Sequence, residues 1–136
     1  MFKRLAHVCI GATDLAATEH FYIDLLGMDK AFDFYRDDRQ IGFYLRAGES
    51  TFIEVFVEPG APQEERPLIR HFCLEVDDLE GAIAALKSKG IEVSEKKLGG
   101  DGAWQAWITD PAGIRIELMQ YGQASSQFSG RRVELS

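Results

Sequence analysis

Apolar and polar positions follow the same order twice along this chain. Residues 3–10 alternate and run apolar, the pattern of a strand. A helical stripe follows over roughly 14–26, with Leu15, Ala17, Phe21 and Leu25/Leu26 at three- and four-residue spacing. Thr13 or Asp14 can cap it and Gly27 stops it. Strand-like segments come next at about 29–36, 40–47 and 51–58. The second half repeats the order with a strand at 69–76, then a helix capped by Asp78, striped by Leu79, Ala82, Ile83 and Leu86, and stopped by Gly90. Three more strands are expected at about 91–97, 103–109 and 113–120. The last two are joined by Asp110-Pro111-Ala112-Gly113, a strong type I turn signal.

The unit is therefore β-α-β-β-β, repeated, an α+β fold. One helix covers only one face of a four-stranded sheet. Two modules side by side are expected to curl into a half-open, cup-shaped β-barrel with the helices outside. The boundaries are one domain over 1–121, made of modules 3–58 and 69–121 with a Pro-rich polar linker at 59–68. A polar tail at 122–136 is expected to be mobile or a partly ordered flap.

Identical residues mark the repeat. Leu5-Ala6-His7-Val8-Cys9-Ile10 runs on to Asp14-Leu15, and Ile69-Arg70-His71-Phe72-Cys73-Leu74 runs on to Asp78-Leu79. The histidine, cysteine, aspartate and leucine recur at one constant offset. Near the end of each half an apolar strand encloses one carboxylate, Ile53-Glu54-Val55 and Ile116-Glu117-Leu118. Strand parity points His7 with Cys9, His71 with Cys73 and Glu75, Glu54 with Phe52 and Phe56, and Glu117 with Arg115 and Met119. An ionised carboxylate among apolar neighbours needs a cation, a basic partner or water. Two neutral imidazoles and two carboxylates (His7, Glu54, His71, Glu117) would neutralise a divalent ion and leave coordination positions open for substrate.

Other candidates are plainer. His20 lies on the first helix beside Glu19 and reads as surface; Glu58 reads as exposed. Glu75 either orients His71 or sits on the rim. Cys9 and Cys73 read as small buried hydrophobes and reduced thiols. The Gly99-Gly100-Asp101-Gly102 loop is either a hairpin turn or a flexible segment able to close over a substrate. No phosphate-binding loop, dinucleotide fingerprint, nucleophile elbow or paired zinc cysteines occur.

The formal charge of −7, from 15 basic and 22 acidic residues, argues against a nucleic-acid partner. No apolar run approaches the roughly 20 residues that span a bilayer. No secretion signal is seen at Met1-Phe2-Lys3-Arg4, so a cytoplasmic protein with a small-molecule substrate and no membrane partner is expected.

With these motifs in view the chain resembles the vicinal oxygen chelate superfamily of glyoxalases, bleomycin resistance proteins and dioxygenases. The likeness covers residues 3–121, and Asp110 to Leu118 looks like the Asp-Pro-x-Gly-x-x-x-Glu-Leu closing strand of that group. The His7, Glu54, His71, Glu117 set looks like that of short bacterial glyoxalase I (lactoylglutathione lyase). The resemblance implies a lyase/isomerase that converts a 2-oxoaldehyde–thiol hemithioacetal, or a related 2-hydroxy carbonyl, through a metal-bound enediolate. It implies nickel or cobalt before zinc, a homodimer by analogy, and Glu117 as the proton-transferring base with Glu54 its counterpart on the opposite face of the substrate. Glyoxalase I holds the glutathione carboxylates with an arginine four residues after the first His and an asparagine four after the first Glu. Here those positions are Gly11 and Glu58, and Arg36, Arg39, Lys96 or Lys97 are the loop cations that could substitute. The alternatives within the fold are an epimerase, an iron dioxygenase, or a metal-free drug-binding protein using Phe43, Tyr44, Trp104 and Trp107.

Overall fold

The computed structural model describes residues 1–60 and 67–135; positions 61–66, the centre of the expected linker, lie outside them. The chain divides into two compact units. The first is the N-terminal module together with the turn Asp110–Gly113, and the second is the rest of the C-terminal module with the tail.

In the first unit β1 (His7–Ala12) leads into α1 (Leu15–Glu19), then β2 (Asp29–Arg36), β3 (Arg39–Arg46) and β4 (Phe52–Val57). The sheet order is β1-β4-β3-β2, with β1 and β4 parallel and the rest antiparallel. β1 starts later than the alternation of residues 3–10 suggests because its partner begins opposite His7, and without a partner a strand has no ladder. Asp14 caps α1 by accepting from the Ala17 N–H at 3.0 Å.

The helix does not end at Glu19. His20–Leu25 continue in the wider π form, up to the left-handed Gly27. That turn seats two consecutive rings, Phe21 and Tyr22, on the core side, edge to face at 5.1 Å. A regular helical stripe does not predict Tyr22, which is fully buried with Phe43, Leu45, Ile53 and Val55. Tyr22 Oη donates to the buried Asp110 carboxylate at 2.9 Å. Asp110 also accepts from the Ala112 N–H at 2.9 Å, and its own carbonyl accepts from Gly113 at 2.9 Å, closing the expected turn.

The second unit repeats the plan with β5 (Phe72–Glu75), α2 (Leu79–Ser88), β6 (Lys97–Leu98), β7 (Trp104–Thr109) and β8 (Arg115–Gln120). Its order, β5-β8-β7-β6, is the same permutation. Asp78 caps α2 through the Gly81 N–H at 3.1 Å, and Leu79 and Leu86 are its buried residues.

Three expectations are corrected. The sheets are two separate four-stranded sheets, not closed into a barrel, because every ladder among the described residues runs between strands of one module. The strand expected at 91–97 shrinks to Lys97–Leu98. The Ser94 hydroxyl takes the Trp107 N–H at 2.8 Å, so a side chain stands where a ladder carbonyl would. Cys9 and Cys73 are exposed, not buried, because they stand on the sheet face opposite the helix. In the tail, α3 (Ser126–Ser129) follows the buried Ser125, whose hydroxyl donates to the Gly102 carbonyl at 3.2 Å.

Candidate metal centre

Strand parity and register build one half-site in each unit. In the first, Glu54 on β4 lies between Cys9 on β1 and Tyr44 on β3, with His7 one pair further along and opposite Phe52. These side chains share the face away from α1. The His7 ring lies 5.7 Å from the Tyr44 ring, which also contacts Phe32, Phe34 and Phe52. Phe34 in turn stacks on Phe56 at 4.6 Å. Gly42 makes this possible: a Cβ there would fall 2.1 Å from the Val55 carbonyl oxygen. His7 is exposed and Glu54 half-buried in an aromatic setting.

In the second unit the same register places Glu117 on β8 between Cys73 on β5 and Trp107 on β7. His71, just before β5, brings Nε2 to 3.1 Å from Glu117 Oε2. The Trp107 ring meets the His71 ring edge-on at 4.7 Å. Glu117 is buried, and the His71 imidazole is the basic group beside it.

Each half-site thus contributes one imidazole and one carboxylate. Among the described residues no group of three or more His, Cys, Asp or Glu is placed to hold an ion. The donors fit a divalent ion by type, each half holding one imidazole nitrogen donor and one carboxylate. Of the four expected residues, His71 and Glu117 are in contact at 3.1 Å, while His7 and Glu54 stand on the neighbouring strands β1 and β4.

The cysteines join these faces as neutral thiols. Partial burial pushes the Cys9 thiol up, helped by its hydrogen bond to Glu54 and the Glu54 and Glu58 charges. Burial and the Glu117 and Glu75 charges push Cys73 up to about 11. Both shifts favour the protonated thiol in the metal-free protein.

His20 is exposed and tied to Asp24 at 2.7 Å. Glu75 is exposed, and the partner of His71 is Glu117. Glu58 is exposed, and its side chain lies over Gly11, where an added Cβ would come within 3.0 Å of Glu58 Cγ.

Tyr44 and Trp107, which the sequence offered only as aromatics of a drug-binding cup, stand beside the two glutamates. They stand at the same register position beside the two glutamates, and their equal offset to Glu54 and Glu117 is the signal that was available. The tail also reaches the second half-site face. Phe128 packs edge-on against Tyr121 at 5.1 Å, and Gln127 donates to Asp101 at 2.7 Å.

Residues 4–118 match the profile of the glyoxalase/bleomycin resistance protein/dioxygenase superfamily. The chain belongs to this superfamily. Two relatives of this glyoxalase-superfamily chain are the uncharacterised proteins YaeR of Escherichia coli and YwkD of Bacillus subtilis. YaeR is 32% identical over 87% of this chain and 96% of its own length. YwkD is 32% identical over 88% and 98%. A glyoxalase family protein from Enterococcus faecalis has a similar structure, with a TM-score of 0.75 and 30% identity, covering 87% of this chain and 98% of that one. Among the described residues no helix is long and apolar enough to cross a membrane.

Proposed function

We propose that this superfamily member is a metal-dependent lyase/isomerase of the glyoxalase I type, acting on a 2-hydroxy carbonyl compound or a hemithioacetal. The observation that carries the reading is the repeated His–Glu pair, met as a 3.1 Å contact between His71 and Glu117 and matched by His7 and Glu54 on the equivalent strands. His7, Glu54, His71 and Glu117 are the proposed ligands, in a homodimer, with nickel or cobalt favoured and zinc next. A bound divalent ion would supply Lewis-acid stabilisation of negative charge on the substrate oxygens.

The chain's own residues carry the proton. Glu117, buried beside Trp107, is the proposed base, taking the carbon-bound proton and returning it to the neighbouring carbon. Glu54 holds the equivalent place in the other half. The imidazoles would be the nitrogen ligands, with rings packed against Tyr44 and Trp107. Glutathione is not the proposed thiol, because Gly11 offers no cation and Glu58 lies over it.

Elemental analysis of the purified protein is the test, followed by nickel, cobalt, zinc and iron reconstitution and the methylglyoxal–glutathione hemithioacetal assay. The expected result is stoichiometric metal and weak turnover with glutathione, improving with other thiols or 2-hydroxy carbonyls. Absence of metal from the purified protein and after every reconstitution would overturn the reading.

A further inference from the structure

We infer that the substrate carries an anionic group, and that Lys97 and Arg115 hold it one register position to either side of Trp107. The inference rests on the functional reading above. Lys97 pairs Gln105 across β6 and β7, while β7 sets Gln105 against Met119, Trp107 against Glu117 and Thr109 against Arg115. All these side chains stand on the face that carries the His71–Glu117 pair.

A groove of about 210 Å³ lies on that face, lined by Ser94, Glu95, Lys97, Gln105 and Trp107. Trp107 belongs to both sites, since it lines the groove and its ring meets His71. A ligand held at the half-site and extending past this indole enters the groove.

Strand alternation separates the two adjacent lysines. Lys96 turns to the helix side, where it pairs with Glu80 at 3.2 Å and lies 4.5 Å over Trp104. Lys97 turns to the groove. Arg115 lies 4.2 Å over the other ring, Trp107. Neither Lys97 nor Arg115 has an ion pair among the described residues. In a chain with a net charge of −7, two such cations flanking one aromatic beside a buried glutamate are arranged for an external anion. Carboxylate and phosphate share the chemistry they recognise, and Gln105 adds a neutral donor. Glu95 borders the same groove and opposes an anion there, so its removal gives a control of opposite sign.

The test uses metal-free full-length protein under chelator. Trp104→Phe leaves Trp107 as the one tryptophan of two. Its fluorescence is followed during titration with D-lactate, inorganic phosphate and uncharged lactamide at constant ionic strength. At least one of the two anions is expected to give a saturable change and lactamide none, which also tells carboxylate from phosphate. In the same background Lys97→Gln and Arg115→Gln should each weaken the anion about 10-fold, and Glu95→Gln should tighten it about threefold. No saturable response to either anion, equal binding of lactamide, or unchanged affinity in both cation variants would overturn the inference. Calorimetric titration with nickel on the same proteins separates the two claims. Tight nickel together with anion affinity that does not depend on Lys97 or Arg115 removes the anion subsite and leaves the functional reading. Anion binding lost with Lys97 but no nickel affinity keeps the subsite and removes the metal reading.

Discussion

In the first module the residue across β3 from Phe56 is Gly42; in the second the residue across β7 from Met119 is Gln105. Two sheets of identical strand order thus present different walls. Gly42 leaves room for Phe34 to stack on Phe56, and an aromatic cluster spreads from there to Tyr44 and Phe52. Gln105 instead sits with Lys97 in a polar groove. The row carrying the glutamate is retained in both, Cys9–Glu54–Tyr44 and Cys73–Glu117–Trp107, with a histidine beside it. Positions that would grip an ion keep their identity through the repeat, and positions one row away diverge. The helices differ in the same way: the turn that buries Tyr22 in one buries Leu86 in the other.

The largest expected effect tests whether the two halves are equal partners in the ion. His7→Ala/Glu54→Ala and His71→Ala/Glu117→Ala should each abolish stoichiometric nickel in calorimetry, beyond the about 100-fold cost typical of groups that merely support a ligand. Retention of nickel by either double variant would break the symmetry. Mixing the two variants sharpens the point. If a homodimer completes each site with halves from two chains, random exchange restores about a quarter of the wild-type sites, since half the dimers are mixed and each has one intact site. No recovery would assign the site to a single chain.

Next in size is the divergent row itself. Gly42→Ala places a Cβ against the Val55 carbonyl and should cost about 3 kcal/mol in urea unfolding, whereas Gln105→Ala should stay within about 0.5 kcal/mol. Equal costs would mean that the two walls are not built differently.

Tyr22→Phe removes the hydroxyl donor from buried Asp110 and should cost about 2 kcal/mol. Burial, followed by the Asp110 charge, raises the Tyr22 phenol far above its ordinary value of 10.0. The folded state therefore keeps a proton that the unfolded chain releases. The associated stability is present in full below pH of about 10 and is lost as pH climbs above it. Tyr22→Phe should flatten that alkaline decline in unfolding free energy measured from pH 8 to 11. The smallest effects come from the matched helix caps. Asp14→Ala and Asp78→Ala should each lower stability by about 1 kcal/mol, and a large difference between them would show that the π extension alters the first helix's dependence on its cap.

Much of this was legible beforehand because the signals are local and doubled. Asp14 and Asp78 cap, and Gly27 and Gly90 stop with left-handed backbone, where the sequence pattern places them. The Asp110–Gly113 turn closes as its residues suggest. Where reading failed, a partner distant in sequence intervened. Ser94 replaced a ladder bond at Trp107, and β4's starting point delayed β1. Tyr22 found Asp110 far along the chain, and the tail found Asp101 and Gly102.

By itself, then, the sequence determined the repeat and the order of elements, because periodicity and short-range caps act within a few residues. Only the tertiary structure decided that the sheets stay separate and that both cysteines are exposed. It alone showed that Tyr44 and Trp107 flank the glutamates and that Lys97 and Lys96 face opposite ways. Those outcomes depend on which backbone groups pair across strands, and register is settled by the folded sheet as a whole.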